Sequence, residues 1–207
     1  MKTGSGSENL NLDAGQLSLD FANTMGWHAS EHPVEKLHSY HDVLTWSANV
    51  GLITGEEKSQ LSRASKSHAK QALQVYNKSI ELREALYRIF SAFTMKKRPD
   101  ASDLEIFNKA LVESLSHLRV GYDRGKFRWE WADAKNSLEQ ILWPVVRSAA
   151  ELLNSEDLER VGRCEDDRGC GWLFLDTSHN RTRRWCGTSC GNRAKVRSFR
   201  ERARAHD

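Results

Sequence analysis

Apolar positions alternate loosely from Leu10 to Phe21, with Leu10 and Leu12 before Ala14-Gly15 and Leu17, Leu19 and Phe21 after it. A spacing of two around a turn-prone pair predicts a short hairpin, its second strand running into Asp20-Phe21-Ala22-Asn23-Thr24. Residues 26–33 are irregular and end at Pro33. The period then becomes helical. Val43, Leu44 and Val50 predict a helix at about 41–50, with Gly51 as its stop. Thr54-Gly55-Glu56-Glu57 has the capping-box form that opens another helix. Leu73, Tyr76, Ile80, Leu86, Phe90 and Phe93 predict a long helix over about 68–95, closed by Pro99. Ser102-Asp103-Leu104-Glu105 repeats the capping signal before a helix carrying Ile106, Leu111, Leu115 and Leu118.

Strand alternation returns at 118–122 and 126–131 around Asp123-Arg124-Gly125, where Phe127, Trp129 and Trp131 share one face. A last helix is expected over about 136–153, kinked or broken at Pro144. The fold class that follows is α+β: a mainly helical body with a small antiparallel sheet. Residues 1–8 read as a flexible tail and 9–158 as the body. Composition changes near Ser155–Gly162, which sets 159–207 apart as a second unit.

Composition narrows the function. Of 207 residues, 39% are hydrophobic and 29% charged, the balance of a folded globular chain. No apolar run approaches the ~18 residues of a membrane helix, so no membrane partner is expected. Met1-Lys2-Thr3-Gly4-Ser5-Gly6-Ser7 has no apolar stretch of the secretory kind, which leads us to expect a cytoplasmic protein. The net charge of +3 conceals an asymmetry: residues 163–207 hold 11 Arg/Lys against 6 Asp/Glu, leaving the rest net acidic. A basic tail on an acidic body points to a polyanion partner for the tail.

All four cysteines lie in that tail, as C-x5-C, fifteen residues, then C-x3-C. Two close pairs separated by a hairpin-length segment suit tetrahedral zinc, so Cys164, Cys170, Cys186 and Cys190 are the expected ligands. With four thiolates the shell is closed and the zinc structural. Two disulfides, free thiols or a redox site are the alternatives. His179 reads as a surface residue. Gly169 and Gly171, and likewise Gly187 and Gly191, provide small residues for tight knuckles, and Trp172-Leu173-Phe174-Leu175 is a strand that packs over the site.

After Cys190, Arg193, Arg197, Arg200 and Arg204 follow helical steps along one face, broadened by Lys195 and Arg202. Val196, Phe199 and Ala203 form another face, expected to pack on the zinc knuckle. Arg181, Arg183 and Arg184 add a second basic cluster; Trp185 beside them is expected to pack. Guanidinium forks suit phosphate oxygens and guanine edges, so double-stranded DNA is the expected partner and RNA the alternative.

Cys170-Gly171-Trp172-Leu173-Phe174-Leu175-Asp176, Asn180-Arg181, Arg184-Trp185-Cys186 and Cys190-Gly191-Asn192-Arg193-Ala194-Lys195 together resemble the CGNR zinc finger. Upstream, Leu19-Asp20-Phe21-Ala22-Asn23-Thr24, with Leu44-Thr45-Trp46 to Gly51-Leu52, is similar to the ABATE domain that accompanies it. The resemblance implies a stress-linked transcription regulator that binds DNA through a treble-clef-like four-cysteine finger whose second cysteine pair opens a helix. On that reading the body senses a small-molecule effector, self-associates as a homodimer reading two half-sites, or both. Asp20, Asn23, Trp27, Trp46, Trp129 and Trp131 are candidates for the effector pocket, although capping and core packing are the simpler roles for them. His28-Ala29-Ser30-Glu31-His32 spells an inverted zinc-protease motif, but Pro33 follows at once and no companion motif is present. No enzyme is expected. Metal binding by the histidines from His28 to His41 stays open.

Overall fold

The structure, a computed structural model, describes residues 13–132 and 137–204. Its first element is α1 (Leu17–Ala22), a helix where a strand was expected. Leu17, Ser18, Leu19, Phe21 and Ala22 are all buried, because α1 is enclosed by other elements. A helix buried on every side shows no 3.6-residue stripe, and its leucines fall into a spacing of two by chance. The first strand of the expected hairpin, with Leu10 and Leu12, lies outside the described residues.

Two residues, β1 (Met25–Gly26), pair antiparallel with β2 (Val34–Glu35) and close a loop over 27–33. Ser39 caps α2 (Tyr40–Asn49), and Gly51 follows its end at φ +71°. Thr54 and Glu57 form the expected capping box at the start of α3 (Gly55–Ser67). The long helix is α4 (Ala69–Thr94). Its inner face runs through Ala72, Val75, Ser79, Leu82, Leu86 and Phe90, whereas Leu73 points to solvent.

Asp100, not Ser102, caps α5 (Ala101–Ser116) by accepting from the Ser102 amide. Asp103 is instead buried and takes the Arg88 guanidinium from α4 at 2.6 Å. A two-residue turn at Arg124-Gly125, both with positive φ, joins β3 (Leu118–Asp123) to β4 (Lys126–Trp131). Pro144 breaks the next helix as expected: a 3₁₀ turn at Leu138–Ile141 precedes α6 (Trp143–Leu153), with the proline in its first turn.

The C-terminal segment contributes β5 (Val161–Arg163), antiparallel to β6 (Leu173–Leu175), then α7 (Thr188–Arg204). This hairpin-then-helix order carries the four-cysteine cluster of the expected finger. Leu173 and Phe174 of β6 are fully buried, and the β5–β6 hairpin lies against α1 and α4. Among the described residues, no helix is long and apolar enough to cross a membrane.

Candidate metal centre and basic helix

Cys164 follows β5, Cys170 precedes β6, Cys186 ends a loop and Cys190 sits in the first turn of α7. All are free thiols, and their sulfur atoms lie within 4.8 Å of one another. Cys170 and Cys186 are 3.7 Å apart, Cys186 and Cys190 3.5 Å. Four sulfurs about 2.3 Å from one zinc ion form a tetrahedron with edges of about 3.8 Å. The cluster therefore has the dimensions of a Cys₄ zinc site and not of two disulfides.

The electrostatics of the donor set agree. Hydrogen bonds from Cys170 and Cys186 pull the Cys164 thiol down to about 2. Cys170 and Cys186 are pushed up, chiefly by Cys164 beside them, and burial pushes Cys190 up to about 12. A bound dication would let all four ionise.

The cluster is braced by an outer layer. Asp166 is buried and accepts from Arg193 Nε at 2.9 Å, while Arg193 Nη2 donates to the Cys190 sulfur at 2.8 Å. Asp166 also accepts from the Arg168 amide and so fixes the first knuckle turn. Arg183 donates to the carbonyls of Trp185 and Cys186 and lies 4.3 Å over the Phe174 ring. Arg193 and Arg183 thus brace the finger. The pair Arg193–Asp166 orients a ligand sulfur in the way outer-layer groups do at metal sites.

The body grips this finger directly. Asn23 donates to the Leu173 carbonyl at 2.8 Å and accepts from the Leu173 amide at 2.9 Å, and the Leu175 amide donates to Ala14 O at 2.7 Å. Together Asn23 and Ala14 supply β6 with the partners a third strand would give. Asp20 accepts from the Ala14 amide, and burial raises its carboxyl to about 6. The Tyr87 hydroxyl donates to Gly171 O at 3.0 Å, and the Ala29 amide to Gly169 O. A Cβ on Gly169 would stand 2.5 Å from Ala29 O, and one on Gly171 2.4 Å from the Tyr87 hydroxyl; both have positive φ. Gly187 and Gly191 have neither constraint.

The candidate pocket residues are not brought together. Asp20 and Asn23 belong to the clasp just described. Trp27 is covered by Arg168 and Arg193, at 5.1 and 5.6 Å. Trp46 packs on Phe21, and Trp131 on Trp143. Trp129 is exposed, with Arg147 over its ring. A groove of about 950 Å³ between α4 and α5 is lined by other residues, among them Tyr76, Ile80 and Lys109.

The histidine segment is likewise structural. His28 stacks on Tyr87 at 3.4 Å and bonds Glu84, while Arg83, fully buried, forks onto Glu35. Glu31 and His32 sit on the exposed loop. Among the described residues, the one group of three or more potential ligands that converges is the cysteine set. His179 is exposed and bonds Asn180.

On α7 the apolar stripe faces outward and the first half of the arginine stripe turns inward, against expectation. Val196 and Phe199 are 49% and 68% exposed, and Ala203 is exposed too, while Arg193 and Arg197 turn toward the knuckle. The cause is the acidic run after the first ligand: Asp166 takes Arg193, Asp167 takes Arg197, and Glu165 takes Arg184. Arg181, Lys195, Arg200 and Arg204 are exposed, with no carboxylate partner among the described residues. Arg202 bonds Ser198 O and, with Arg184, Trp185 and Lys195, lines a cleft of about 290 Å³ beside α7.

Sequence comparison gives the context. The ABATE family model, described as a putative stress-induced transcription regulator, matches residues 15–156, and the CGNR zinc finger model matches residues 160–203. The comparison with curated proteins gives no match. With a grip-and-finger architecture that runs through both matched regions, the chain belongs to the ABATE family and carries a CGNR zinc finger at its C-terminal end.

Proposed function

We propose that the protein is a transcription regulator that binds double-stranded DNA through α7, held in place by structural zinc on Cys164, Cys170, Cys186 and Cys190. In this reading residues 159–207 are the DNA-binding unit and 9–158 the body that holds it. The observation that carries the proposal is the basic surface that survives internal pairing. Lys195, Arg200 and Arg204 stand exposed along the distal turns of α7, with Arg181 on the preceding loop. Arg184 and Arg197 add to it, since their partners Glu165 and Asp167 are half-exposed and such surface pairs are worth only about 0–1 kcal/mol. Phosphate oxygens can replace those carboxylates at little cost. Arg183 and Arg193 leave the contact set, because their guanidiniums are committed to the finger itself.

Bound zinc supplies a cross-link between the β5–β6 hairpin and α7, so order in the helix depends on the thiolates. Six cations on phosphates give a slope of roughly −5 for log affinity against log salt. The test is fluorescence anisotropy of a labelled duplex over a salt series. The reading expects that slope in the zinc-loaded protein and a slope of roughly −3.5 in Arg200→Ala/Arg204→Ala. A slope near zero, or equal slopes for the two proteins, would overturn it. Tighter binding to a structured RNA than to the duplex would move the same surface to RNA.

A further inference from the structure

The β3–β4 ribbon carries an apolar face that the body does not use. Cross-strand pairing sets Val120 opposite Trp129 and Tyr122 opposite Phe127, so all four side chains share one face. They are 59%, 57%, 66% and 77% exposed, in that order, and the Tyr122 and Phe127 rings meet at 4.9 Å. At the base of the same face the ribbon is anchored, since Trp131 packs on Trp143 of α6. The opposite face is charged: Arg128 pairs with Asp123 and Arg119 with Glu130, and Lys126 shares that face. Gly121 makes room for this, because a Cβ there would stand 2.1 Å from the Glu130 carboxylate.

We infer that this apolar face is the contact by which two copies of the chain associate, the two ribbons stacking face to face about a two-fold axis. Three features select a second copy as the occupant. The four side chains present on the order of 500 Å² of continuous apolar surface, at the upper end of what a monomer leaves exposed. Doubled by a two-fold contact, this removes about 1,000 Å², the lower bound for a specific interface. The one cation against the face, Arg147 over the Trp129 ring, is already paired with Glu151, so a copy of the face meets it without burying an unpaired ion. A polyanion does not fit this face, because the cations of the two strands, Arg119, Lys126 and Arg128, lie on the other one. A two-stranded ribbon is marginal when isolated, and a stacked partner gives it the second layer that sheets need.

An interface of this size gives a weak, concentration-dependent dimer. The test is sedimentation velocity of the zinc-loaded full chain from about 1 to about 200 μM, a range spanning weak association. Wild type is compared with Phe127→Ser, Trp129→Ser and, as a control elsewhere, Leu73→Ser, also an exposed apolar residue. The inference expects a dimer in wild type and in Leu73→Ser, with dissociation constants at least tenfold weaker in both ribbon variants. Zinc stoichiometry and far-UV circular dichroism report whether each variant is folded. If one ribbon variant misfolds, the other decides. A monomer throughout the range overturns the inference; so does a dimer that the ribbon variants leave intact or that Leu73→Ser disrupts equally. Wild type that becomes dimeric only after removal of residues 1–12 would make that segment the occupant and overturn it as well.

Discussion

Replacing Asn23 by alanine tests how the body holds the finger. Asn23 and Leu173 are 2% and 0% exposed, and the two hydrogen bonds between them have no access to replacement water. Truncation leaves one buried amide and one buried carbonyl unpaired. Each unsatisfied group costs about 1–3 kcal/mol, so the pair amounts to about 2–6 kcal/mol. This is a large part of a typical folding stability of about 5–15 kcal/mol. With a urea slope of about 2 kcal/mol/M, the midpoint should fall by about 1–3 M at saturating zinc. Hydrogen exchange gives the local readout: the Leu173 amide should lose protection more than amides inside α4 do. Asn23→Asp should also be destabilised, because a carboxylate accepts from the Leu173 amide but cannot donate to its carbonyl. A midpoint within about 0.2 M of wild type, with Leu173 still protected, would refute the clasp.

Three further outcomes follow from the same geometry. Asp20→Asn should stabilise the protein by about 1 kcal/mol at pH 7.5, a value reduced from the about 3 kcal/mol of the full shift because solvent reaches this half-buried group. Folding raises this carboxyl from 3.8 to about 6, so the cost of its ionised form is full above pH 6 and fades as pH falls toward 4; thermal melts of both proteins should converge only near pH 4. Asp166→Ala should weaken zinc affinity about 10–100-fold in a chelator competition, because Arg193 then loses the partner that aims it at the Cys190 sulfur. Glu165→Gln/Asp167→Asn should tighten duplex binding about 3–10-fold at low salt, with the gain shrinking as salt screens the carboxylates.

Much of the architecture was legible because it is local. The capping box at Thr54 and Glu57, the stop at Gly51, the break at Pro144 and the turn at Arg124-Gly125 each depend on a few neighbouring residues. The cysteine ligands were legible for the same reason: spacing alone sets two knuckles. What sequence hid was long-range. The polar positions of Asp20-Phe21-Ala22-Asn23-Thr24 suggested a pocket or a cap, yet Asn23 serves a strand 150 positions away in the chain. On α7 both an arginine stripe and an apolar stripe were visible, and nothing local says which turns inward. The choice is made by Asp166 and Asp167 across the knuckle. Three consecutive acids beside the first ligand, facing a tail rich in arginine, were the available signal.

The most direct test of the account is recovery of fragmented genomic DNA by the purified zinc-loaded protein, followed by sequencing, beside Cys186→Ser and Arg200→Ala/Arg204→Ala. The account predicts enrichment of a small set of promoter sites by wild type, and loss of that enrichment in both variants while the arginine variant keeps its zinc. Equal, weak recovery of all fragments by the three proteins would contradict it and reduce α7 to a solvated basic helix.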